Sequence, residues 1–287
     1  MRLDFVVPGF SKCGTTSLCS LLAKHPQVFI PEIKEPNFFA YNYHRGWEWY
    51  EEFFKDTGDA QMAGEGSTFY TAAEFEQRSS DRIKQYFPDA RLIFIARNPI
   101  ARLESSYREH HHSGRQYGIA VPFSIGRALK EFRNIIDDTL YWRRINAYRK
   151  NFPDSRIHVL FLEDLHRDPA RELAACFEFL GVDSAVRIER ANRKLNPGSD
   201  KLYDSRTLRF IRRHKWAERI WQRLPAGAQD HLARALGFRK PFKGPVKWQP
   251  ADLDWAVEQV GDDARQFLGH YGKPSDFWRL VPRAVAA

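Results

Sequence analysis

Cysteine is scarce in this chain of 287 residues, and its spacing excludes two common uses of the residue. The three cysteines are Cys13, Cys19 and Cys176, and no two of them form a CxxC pair. Such scattered positions fit neither a disulfide framework nor a zinc site, so we predict reduced thiols in a reducing compartment. A cytoplasmic location is therefore expected.

Long apolar segments are also missing. No run of about 18 apolar residues, the length that a membrane span needs, occurs in the chain. The opening sequence MRLDFVVPG has no cationic lead followed by a long apolar stretch, which argues against a secretion signal. Hydrophobic residues make up 43% of the chain and aromatic residues 14%, a composition that fits a globular protein and not a disordered one.

The chain has a net charge of +9, and acidic residues are few in one part of it. Residues 187–247 contain seventeen Lys or Arg but only five Asp or Glu. This excess fits a face that attracts a phosphorylated or sulfated ligand or nucleic acid, and it fits a solvated helical face equally well. No nucleic-acid-binding signature is present, so nucleic acid is not expected as a partner.

Three short apolar runs predict buried strands, and they cover Leu3–Val7, Arg91–Ala96 and Ile157–Leu162. Each run is continuous and bounded by polar or turn residues, as central strands of a parallel sheet are. Helix-period segments separate the runs, which predicts an α/β fold with a central, mostly parallel sheet flanked by helices. No linker divides the chain, so residues 1–287 are expected to form one domain, with a mostly helical and basic part from about 187 to 287.

The clearest helical segment is DPARELAACFEFLG. Asp168 suits the N-cap, Pro169 the first helical position and Gly181 the C-terminal stop. Its predicted buried face consists of Leu173, Cys176, Phe177 and Leu180.

The sequence VVPGFSKCGTTSL joins the first predicted strand to a helix through a glycine-bearing loop. Backbone N–H groups in the first turn of such a helix point at an anion, and the helix dipole favours negative charge there. A Walker loop carries its lysine just after the second glycine, whereas Thr15 holds that position here and Lys12 lies within the loop. We therefore expect Lys12 to lie over the terminal group of a phosphate-bearing ligand. An ordinary strand-to-helix turn is the less favoured alternative.

The strand RLIFIA is followed by Arg97 and not by a Walker B aspartate. An arginine there indicates that cationic side chains, instead of a metal ion, neutralise the anion. Asn98 can cap a helix that begins at Pro99, and Ser105 then lies about two turns into that helix. At that point Ser105 could flank a phosphate that Arg97 binds. A capped helix with a structural arginine explains the stretch equally well.

A third stretch, KEPNFFAYNYHRGWEWYEEFF, places a carboxylate beside many aromatic residues. Glu35 must lie on an irregular segment because Pro36 disfavours helix at the preceding position. A carboxylate in an apolar cleft, its pKa raised by desolvation, suits a general base for an alcohol nucleophile. A surface salt bridge with Lys34 is the alternative. The aromatic residues predicted to bind the acceptor are Phe38, Phe39, Trp47 and Tyr70.

Three consecutive histidines, His110 to His112, raise the question of a metal site, but their spacing argues against one. Adjacent residues on a helix point about 100° apart, so three in a row do not converge on one ion. No metal is therefore expected at the functional site.

In this combination and order, the stretches resemble the sulfotransferases that use 3′-phosphoadenosine 5′-phosphosulfate (PAPS), above all the heparan-sulfate N- and O-sulfotransferases and their bacterial relatives. SKCGTTSL resembles the 5′-phosphosulfate loop of that family, and RNPIARLESSY resembles its 3′-phosphate segment. KEPNFF with NYHRGWEWYEEFF resembles the stretch that carries the catalytic glutamate. VLFLEDLHRDPARELAACFEFLGV resembles a later strand–helix unit. The resemblance covers roughly residues 3–113 and 154–182, and it implies a P-loop-like, three-layer α/β fold.

The resemblance also implies roles for individual residues. Lys12 would contact the transferring sulfonate and its bridging oxygen, and Glu35 would deprotonate the acceptor. The 3′-phosphate would be held by Arg97 and Ser105. The loop residues implied in binding the phosphosulfate are Ser11, Lys12, Cys13, Gly14, Thr15, Thr16 and Ser17. A preorganised lysine and a helix N-terminus can stabilise charge on the leaving phosphate oxygen without a metal.

Two departures from the family pattern concern the cations of the site. Heparan enzymes often carry a second lysine in an EK[ST]-type segment, whereas this chain has Gly66 within EGST, so Lys12 acts alone or is helped from elsewhere. The family's cofactor-covering loop has only an approximate match in RKPFKGPVKWQP, where we assign Lys243 and Gly244. Lys240 or Lys247 could take the same role.

The sequence thus favours a PAPS-dependent sulfotransferase, with the desulfated product adenosine 3′,5′-bisphosphate (PAP). Its acceptor would be a hydroxyl, or less readily an amine, of a sugar, a lipid or a small specialised metabolite. Two alternatives are a P-loop kinase that uses Mg-ATP on a small molecule and a non-enzymatic module that binds polyanions through the basic segment. The oligomeric state is left open.

Overall fold

The structure, a computed structural model, describes residues 2–114, 119–188, 201–205, 207, 208, 235–242 and 244–280. These residues form two compact units. The first comprises residues 2–103, 132–188 and 253–280, and the second comprises the described residues within 104–131 and 201–252. Lys243 lies outside the described residues.

A parallel sheet of five strands forms the centre of the first unit, in the order β2-β3-β1-β4-β5. Every pairing between neighbouring strands is parallel. The strands are β1 (Phe5–Gly9), β2 (Val28–Phe29), β3 (Met62–Glu65), β4 (Arg91–Ala96) and β5 (Ile157–Phe161). The predicted α/β class and parallel sheet are therefore confirmed.

Ten α-helices are described along the chain. They are α1 (Thr15–Leu22), α2 (Gly46–Glu51), α3 (Glu76–Tyr86), α4 (Pro99–Ser113), α5 (Ile125–Glu131), α6 (Asn134–Asp137), α7 (Tyr141–Arg149), α8 (Leu162–Arg167), α9 (Pro169–Leu180) and α10 (Pro250–His270). Helices follow β1, β4 and β5 directly, as the alternating pattern of the sequence predicts.

The α9 helix begins and ends as its sequence predicts. The Asp168 side chain accepts a hydrogen bond from the Arg171 N–H at 3.1 Å, which caps the first turn. Gly181 ends the helix in the left-handed conformation, with φ 72°. The four residues of the predicted face, among them Cys176, are all buried.

The core of the first unit is formed by side chains on both faces of the sheet. Strands β1 and β4 are buried almost throughout, and Phe5, Phe94 and Ile95 have no exposed surface. Because both faces are covered, the strands read as continuous apolar runs and not as alternating ones.

Only some of the described residues in the C-terminal part are helical. The α10 helix lies within this part, whereas residues 189–200 and 209–234 of the predicted helical and basic segment lie outside the described residues. The antiparallel pair β6 (Leu202–Asp204) and β7 (Arg239–Pro241) was not predicted from the sequence. Within the described residues, no helix combines the length and the apolar character that crossing a bilayer requires.

Gly9, the last residue of β1, lies too close to a neighbouring turn to carry a side chain. A Cβ atom built on Gly9 would be 2.4 Å from Oγ1 and 2.9 Å from Cγ2 of Thr71. The Thr71 hydroxyl is itself fixed, because it donates a hydrogen bond to the Pro8 carbonyl at 3.1 Å. The glycine therefore lets the end of β1 pack against residues 68–71.

We expect Gly9→Ala to lower the free energy of unfolding by about 2 kcal/mol, the usual cost of an added methyl group in a packed core. The matched control is Gly269→Ala within α10, where a Cβ meets nothing within 4 Å. Alanine there gains helix propensity, so this control should be neutral or slightly stabilising. Urea unfolding of both variants measures the difference, and equal stability of the two would contradict the close contact.

Candidate active site

Four neighbouring strands deliver the candidate residues to one edge of the sheet. Because β2, β3, β1 and β4 are parallel, their carboxyl ends lie at the same edge. Glu35 follows β2, Thr68 follows β3, Lys12 follows β1 and Arg97 follows β4. This edge is where ligands of open α/β sheets bind.

The loop between β1 and α1 has an unusual backbone at two positions. Gly14 precedes α1 with φ 102°, and a Cβ on it would lie 2.9 Å from Cδ1 of Leu162. Lys12 also has a left-handed backbone, with φ 67°. A residue other than glycine in that region costs on the order of 1 kcal/mol or more, and such strain is typical of functional loops. Helix α1 begins at Thr15, so the backbone N–H groups of its first turn are available to an anion.

Two arginines hold the carbonyl groups of this loop. Arg97 donates from Nη1 to the Lys12 carbonyl at 3.3 Å, and Arg102 donates from Nε to the Ser11 carbonyl at 3.1 Å. Arg102 is buried and also donates from Nη1 to the Ile135 carbonyl and the Thr139 hydroxyl. Because the carbonyls are bound from this side, the loop keeps a fixed shape in which its N–H groups can face a ligand.

Arg97 retains donor capacity for such a ligand. Its Nε is buried and has no hydrogen-bond partner among the residues that the structure describes. Tyr141 donates to the Arg97 carbonyl at 2.9 Å, which fixes the backbone where β4 ends. A half-buried guanidinium with an unused N–H group is a suitable partner for a phosphate. The predicted donor role of Arg97 therefore fits its surroundings.

The side chains of the loop differ in what they can offer. Cys13 is buried, its Sγ lies 3.2 Å from the Tyr141 hydroxyl, and burial raises the pKa of its thiol. Only the backbone of Cys13 can therefore meet a ligand. Thr15 is buried at the start of α1, Ser17 is half-buried and Thr16 is exposed.

Glu35 is hydrogen-bonded on both carboxylate oxygens. Lys34 Nζ lies 2.5 Å from its Oε1, and Thr68 donates to its Oε2 at 3.0 Å. The same ammonium group donates to the Thr15 hydroxyl at 3.3 Å. The salt bridge with Lys34, one of the two sequence interpretations of Glu35, is thus present. It also connects the carboxylate to the first residue of α1, and we call these four residues the Thr15–Thr68 cluster.

Asn37 fixes the backbone beside this cluster. It has a left-handed φ of 52°, which asparagine tolerates better than most residues. Its N–H donates to the Ser67 hydroxyl at 2.8 Å, and its Nδ2 donates to the Glu35 carbonyl at 3.0 Å. The segments after β2 and after β3 are therefore joined next to the carboxylate.

The structure gives three of the four predicted acceptor-binding aromatics a packing role. Phe38, Phe39 and Tyr70 have no exposed surface, because they pack inside the core of the first unit. Phe38 stacks on Tyr50 with ring centroids 4.3 Å apart. An acceptor has no surface of these rings to contact, which corrects their predicted role. Trp47 is half-buried against the same rings, and its role stays a prediction.

Two other aromatic rings near Glu35 are exposed. Tyr41 and Phe69 are each 46% exposed, and their rings meet edge to face at 5.2 Å. Tyr41 accepts a hydrogen bond from Nδ2 of Asn37, and the same Nδ2 donates to the Glu35 carbonyl. Phe69 follows Thr68 directly. Tyr41 belongs to the aromatic cluster of the sequence, but neither ring was predicted to bind the acceptor, because a list of aromatic residues does not show which rings face outward.

The remaining predicted cofactor residues belong to the second unit. Ser105 is half-buried on α4. Gly244 has φ 72°, and its carbonyl accepts a hydrogen bond from Arg108 at 2.9 Å. Lys243 lies outside the described residues, while Lys240 and Lys247 are exposed. Their roles toward a cofactor stay predictions.

The three histidines of α4 have three different partners. His110 Nδ1 lies 2.9 Å from the Ser106 carbonyl, and His111 Nε2 lies 3.2 Å from the Pro122 carbonyl. His112 Nδ1 accepts from the Leu202 N–H at 3.2 Å. Their rings diverge, as the spacing of consecutive helical residues requires.

Comparison with known proteins gives one consistent result. Residues 2–200 match the family described as "Sulfotransferase domain". Human heparan sulfate glucosamine 3-O-sulfotransferase 6 is 31% identical over 186 residues, which cover 63% of this chain and 53% of that protein. Human bifunctional heparan sulfate N-deacetylase/N-sulfotransferase 3 is 27% identical over 198 residues, covering 62% of this chain and 22% of that protein. The chain therefore spans about half the length, or less, of these relatives.

A solved structure supports the same fold. The crystal structure of a sulfotransferase from Alicyclobacillus acidocaldarius aligns with a TM-score of 0.68 and 20% identity, over 97% of this chain and 99% of that chain. At that level of identity the likeness concerns the fold alone.

A buried carboxyl lies behind the Thr15–Thr68 cluster. Glu65, the last residue of β3, has no exposed surface. Burial raises the pKa of Glu65 to about 7, although hydrogen bonds from Ser67, Tyr70 and Tyr50 partly offset that effect. The Tyr70 hydroxyl donates to Oε1 at 2.5 Å and the Tyr50 hydroxyl at 3.2 Å. The folded protein therefore keeps this group protonated at pH values where an unfolded chain has lost the proton.

We expect Glu65 to make the protein less stable as pH rises. Its pKa is higher in the folded state than in the unfolded state, so its contribution is fully present below about pH 4.5 and is lost as pH rises through about 7. Glu65→Gln should shrink the fall in Tm between pH 5 and pH 8 by several degrees, as calorimetry would measure. The control, Glu48→Gln on an exposed position, should leave the fall unchanged. The same fall in all three proteins would contradict a raised pKa for Glu65.

Proposed function

This chain belongs to the sulfotransferase domain family, and on that premise we propose that it transfers a sulfuryl group from PAPS to a hydroxyl group of an acceptor. The observation that carries the proposal is the hydrogen-bonded connection from Thr15 through Lys34 to Glu35. It joins an anion-binding helix N-terminus to a carboxylate base at one edge of the sheet. Sulfuryl transfer from an anionic donor needs both groups side by side.

The residues of this edge fit the phosphates of the donor. We propose that the N–H groups and hydroxyls of the first turn of α1 bind the 5′-phosphate and that Arg97 binds the 3′-phosphate. The unused Nε of Arg97 supports this assignment. Gly14 has no Cβ, and a Cβ there would meet Leu162. Only glycine therefore leaves the backbone accessible to a phosphate at this position, which supports the assignment. Ser105, Lys243 and Gly244 are proposed as further contacts on the strength of the sequence pattern alone.

The proposed step needs two groups of this chain. When bound, PAPS supplies the sulfuryl group and leaves as PAP. Glu35 accepts the proton of the acceptor hydroxyl as the acceptor oxygen forms its bond to sulfur. Lys12 and the N-terminus of α1 stabilise the charge that develops on the leaving phosphate oxygen as the old sulfur–oxygen bond breaks. Lys12 lies in the loop between β1 and α1 with a left-handed backbone, the strained conformation typical of functional loops.

We propose a sugar ring as the acceptor, bound over Tyr41 and Phe69. These rings are exposed next to Glu35, and flat apolar faces of this kind suit the apolar face of a sugar. The names of the relatives heparan sulfate glucosamine 3-O-sulfotransferase 6 and 3A1 agree with a glycan and with O-sulfation. Lipids and small specialised metabolites are the other acceptors to be compared.

We keep the cytoplasm as the proposed location, because all three cysteines are buried and free and thus behave as reduced thiols. The two alternatives to sulfuryl transfer are not favoured. A kinase leaves the position of Lys12 and the arginine after β4 unexplained. A polyanion-binding module leaves the hydrogen bonds that hold the Glu35 carboxylate and the placement of Arg97 after β4 unexplained.

Ligand-induced stabilisation separates the sulfotransferase from the kinase. PAP at a large excess over its Kd should raise Tm by several degrees in the presence of EDTA, because a ligand that binds only the folded state stabilises it. Mg-ATP at the same concentration should raise Tm much less. Arg97→Gln should remove most of the PAP effect, whereas Arg156→Gln, at a half-buried arginine that precedes β5, is the matched control. Stabilisation by Mg-ATP but not by PAP would favour the kinase.

Glu35→Gln should lower kcat for sulfuryl transfer about 10²-fold to 10⁴-fold, the usual contribution of a general base. Transfer of labelled sulfate from PAPS to a panel of glycans, lipids and small hydroxyl compounds measures it. Binding of PAP should stay nearly unchanged, because the proposed partners of its phosphates are the first turn of α1 and Arg97, not the carboxylate. Glu52→Gln, on an exposed pair with Lys55, serves as the control. Full activity of Glu35→Gln would remove Glu35 as the base.

A further inference from the structure

The glycine at position 66 makes room for the side chain of Lys34. A Cβ built on Gly66 would lie 2.7 Å from Cε and 3.4 Å from Cγ of Lys34. The Gly66 N–H donates to the Lys34 carbonyl at 3.0 Å, so the two positions are fixed side by side. The aliphatic stem of Lys34 therefore crosses the space that a side chain at position 66 would fill.

The ammonium group at the end of this stem lies between the two halves of the candidate site. It contacts the Thr15 hydroxyl at 3.3 Å and the Glu35 carboxylate at 2.5 Å. An ammonium has three N–H donors, and two of them have these partners among the described residues. Thr15 opens the helix whose N-terminus faces the donor phosphates, and Glu35 faces the acceptor. The positive charge of Lys34 thus lies between the donor and the acceptor, where the sulfuryl group would be transferred.

We propose that Lys34 is the second cation of the sulfuryl-transfer site and binds the transferring sulfonate of PAPS. This inference rests on the proposed function and names a further residue for it. Lys34 takes the place of the lysine that position 66 lacks, reaching the same region from the segment after β2. Lys12 approaches the donor from the loop after β1, so the two ammonium groups come from different strands.

The position of Lys34 also couples donor binding to the base. In the structure the ammonium group binds Glu35, which would hold the carboxylate in an ion pair. An incoming sulfonate competes for the same ammonium group, and Lys34 then releases Oε1 of Glu35 to the acceptor hydroxyl. The proton of that hydroxyl passes to Glu35, the acceptor oxygen bonds to sulfur, and the electron pair of the broken sulfur–oxygen bond stays on the phosphate of PAP. The base is thus freed only when the donor is bound.

A surface ion pair of the same length shows what is different about Lys34. Lys55 and Glu52 also lie 2.5 Å apart, but the Lys55 side chain is 63% exposed whereas that of Lys34 is 16% exposed. Exposed pairs contribute little because water screens them. A partly buried ammonium group interacts more strongly with an anion that enters its site. Lys55 is therefore the matched control for Lys34.

The experiment compares the affinities of PAP and PAPS by calorimetry without any acceptor. PAP lacks only the sulfonate, so the ratio of the two Kd values reports contacts to that group. In Lys34→Met, which keeps an aliphatic stem over Gly66, we expect Kd for PAPS to rise about tenfold and Kd for PAP to change less than about twofold. Lys55→Met should change neither value. Lys34→Gln repeats the measurement should the methionine variant be unstable.

A double variant separates contact from repulsion. Removing Lys34 leaves the Glu35 carboxylate facing the sulfonate, and that repulsion alone would weaken PAPS binding. In Lys34→Met/Glu35→Gln the repulsion is gone, so PAPS binding stays weak only if Lys34 itself contacts the sulfonate. Recovery of the wild-type Kd for PAPS in the double variant would overturn the proposal, and so would a wild-type Kd in the single variant.

A transplanted lysine gives the converse test. Gly66→Lys in the Lys34→Ala background should restore the preference for PAPS over PAP. Cys19→Ala is added in both arms because a Cβ on residue 66 would lie 2.5 Å from its sulfur. Failure to restore the preference in a folded variant counts against a shared site. If wild-type protein binds neither PAP nor PAPS, the proposed function itself fails, which is a different result from an unchanged affinity in Lys34→Met.

Discussion

Parallel pairing of four strands places the carboxyl end of each strand at the same edge of the sheet, and the candidate site depends on that constraint. Its charged groups come from three strand connections: Lys12 follows β1, Lys34 and Glu35 follow β2, and Arg97 and Arg102 follow β4. The loop carrying Lys12 would still be deformable without Arg97 and Arg102, which bind its carbonyls. The sheet therefore sets where the groups meet, and the two arginines set the shape of the loop.

Much of this fold could be predicted from the sequence because its central strands are buried on both faces. The apolar run predicted for β4 has the same bounds as the strand, and the runs predicted for β1 and β5 differ from their strands by two residues and one residue. The strands β2 and β3 escaped prediction because β2 has only two residues and β3 contains Gly64 in the sequence MAGE. The cap and stop of α9 were predictable for a different reason, since Asp168 and Gly181 act on their own backbone.

The site was predictable only where function depends on local chain geometry. Lys12 and the first turn of α1 are adjacent in sequence, so their relation could be inferred from spacing. The contact between Lys34 and Thr15 joins residues from different strand connections, and no local pattern indicates it. The aromatic residues show the same limit, because Phe38 and Phe69 are each followed by another aromatic residue, yet Phe38 is buried and Phe69 is exposed. Burial depends on how distant segments of the chain pack together, and the composition of a short stretch carries no information about that packing.

The shared space of positions 34 and 66 has a consequence for how related sequences vary. Two long side chains can occupy it only if one of them shifts, because the Lys34 stem passes where a Cβ of residue 66 would lie. A side chain added at position 66 therefore requires Lys34, and Cys19 beside it, to give way. In a related sequence, a longer residue after β3 would call for a rearranged or shorter side chain before the glutamate.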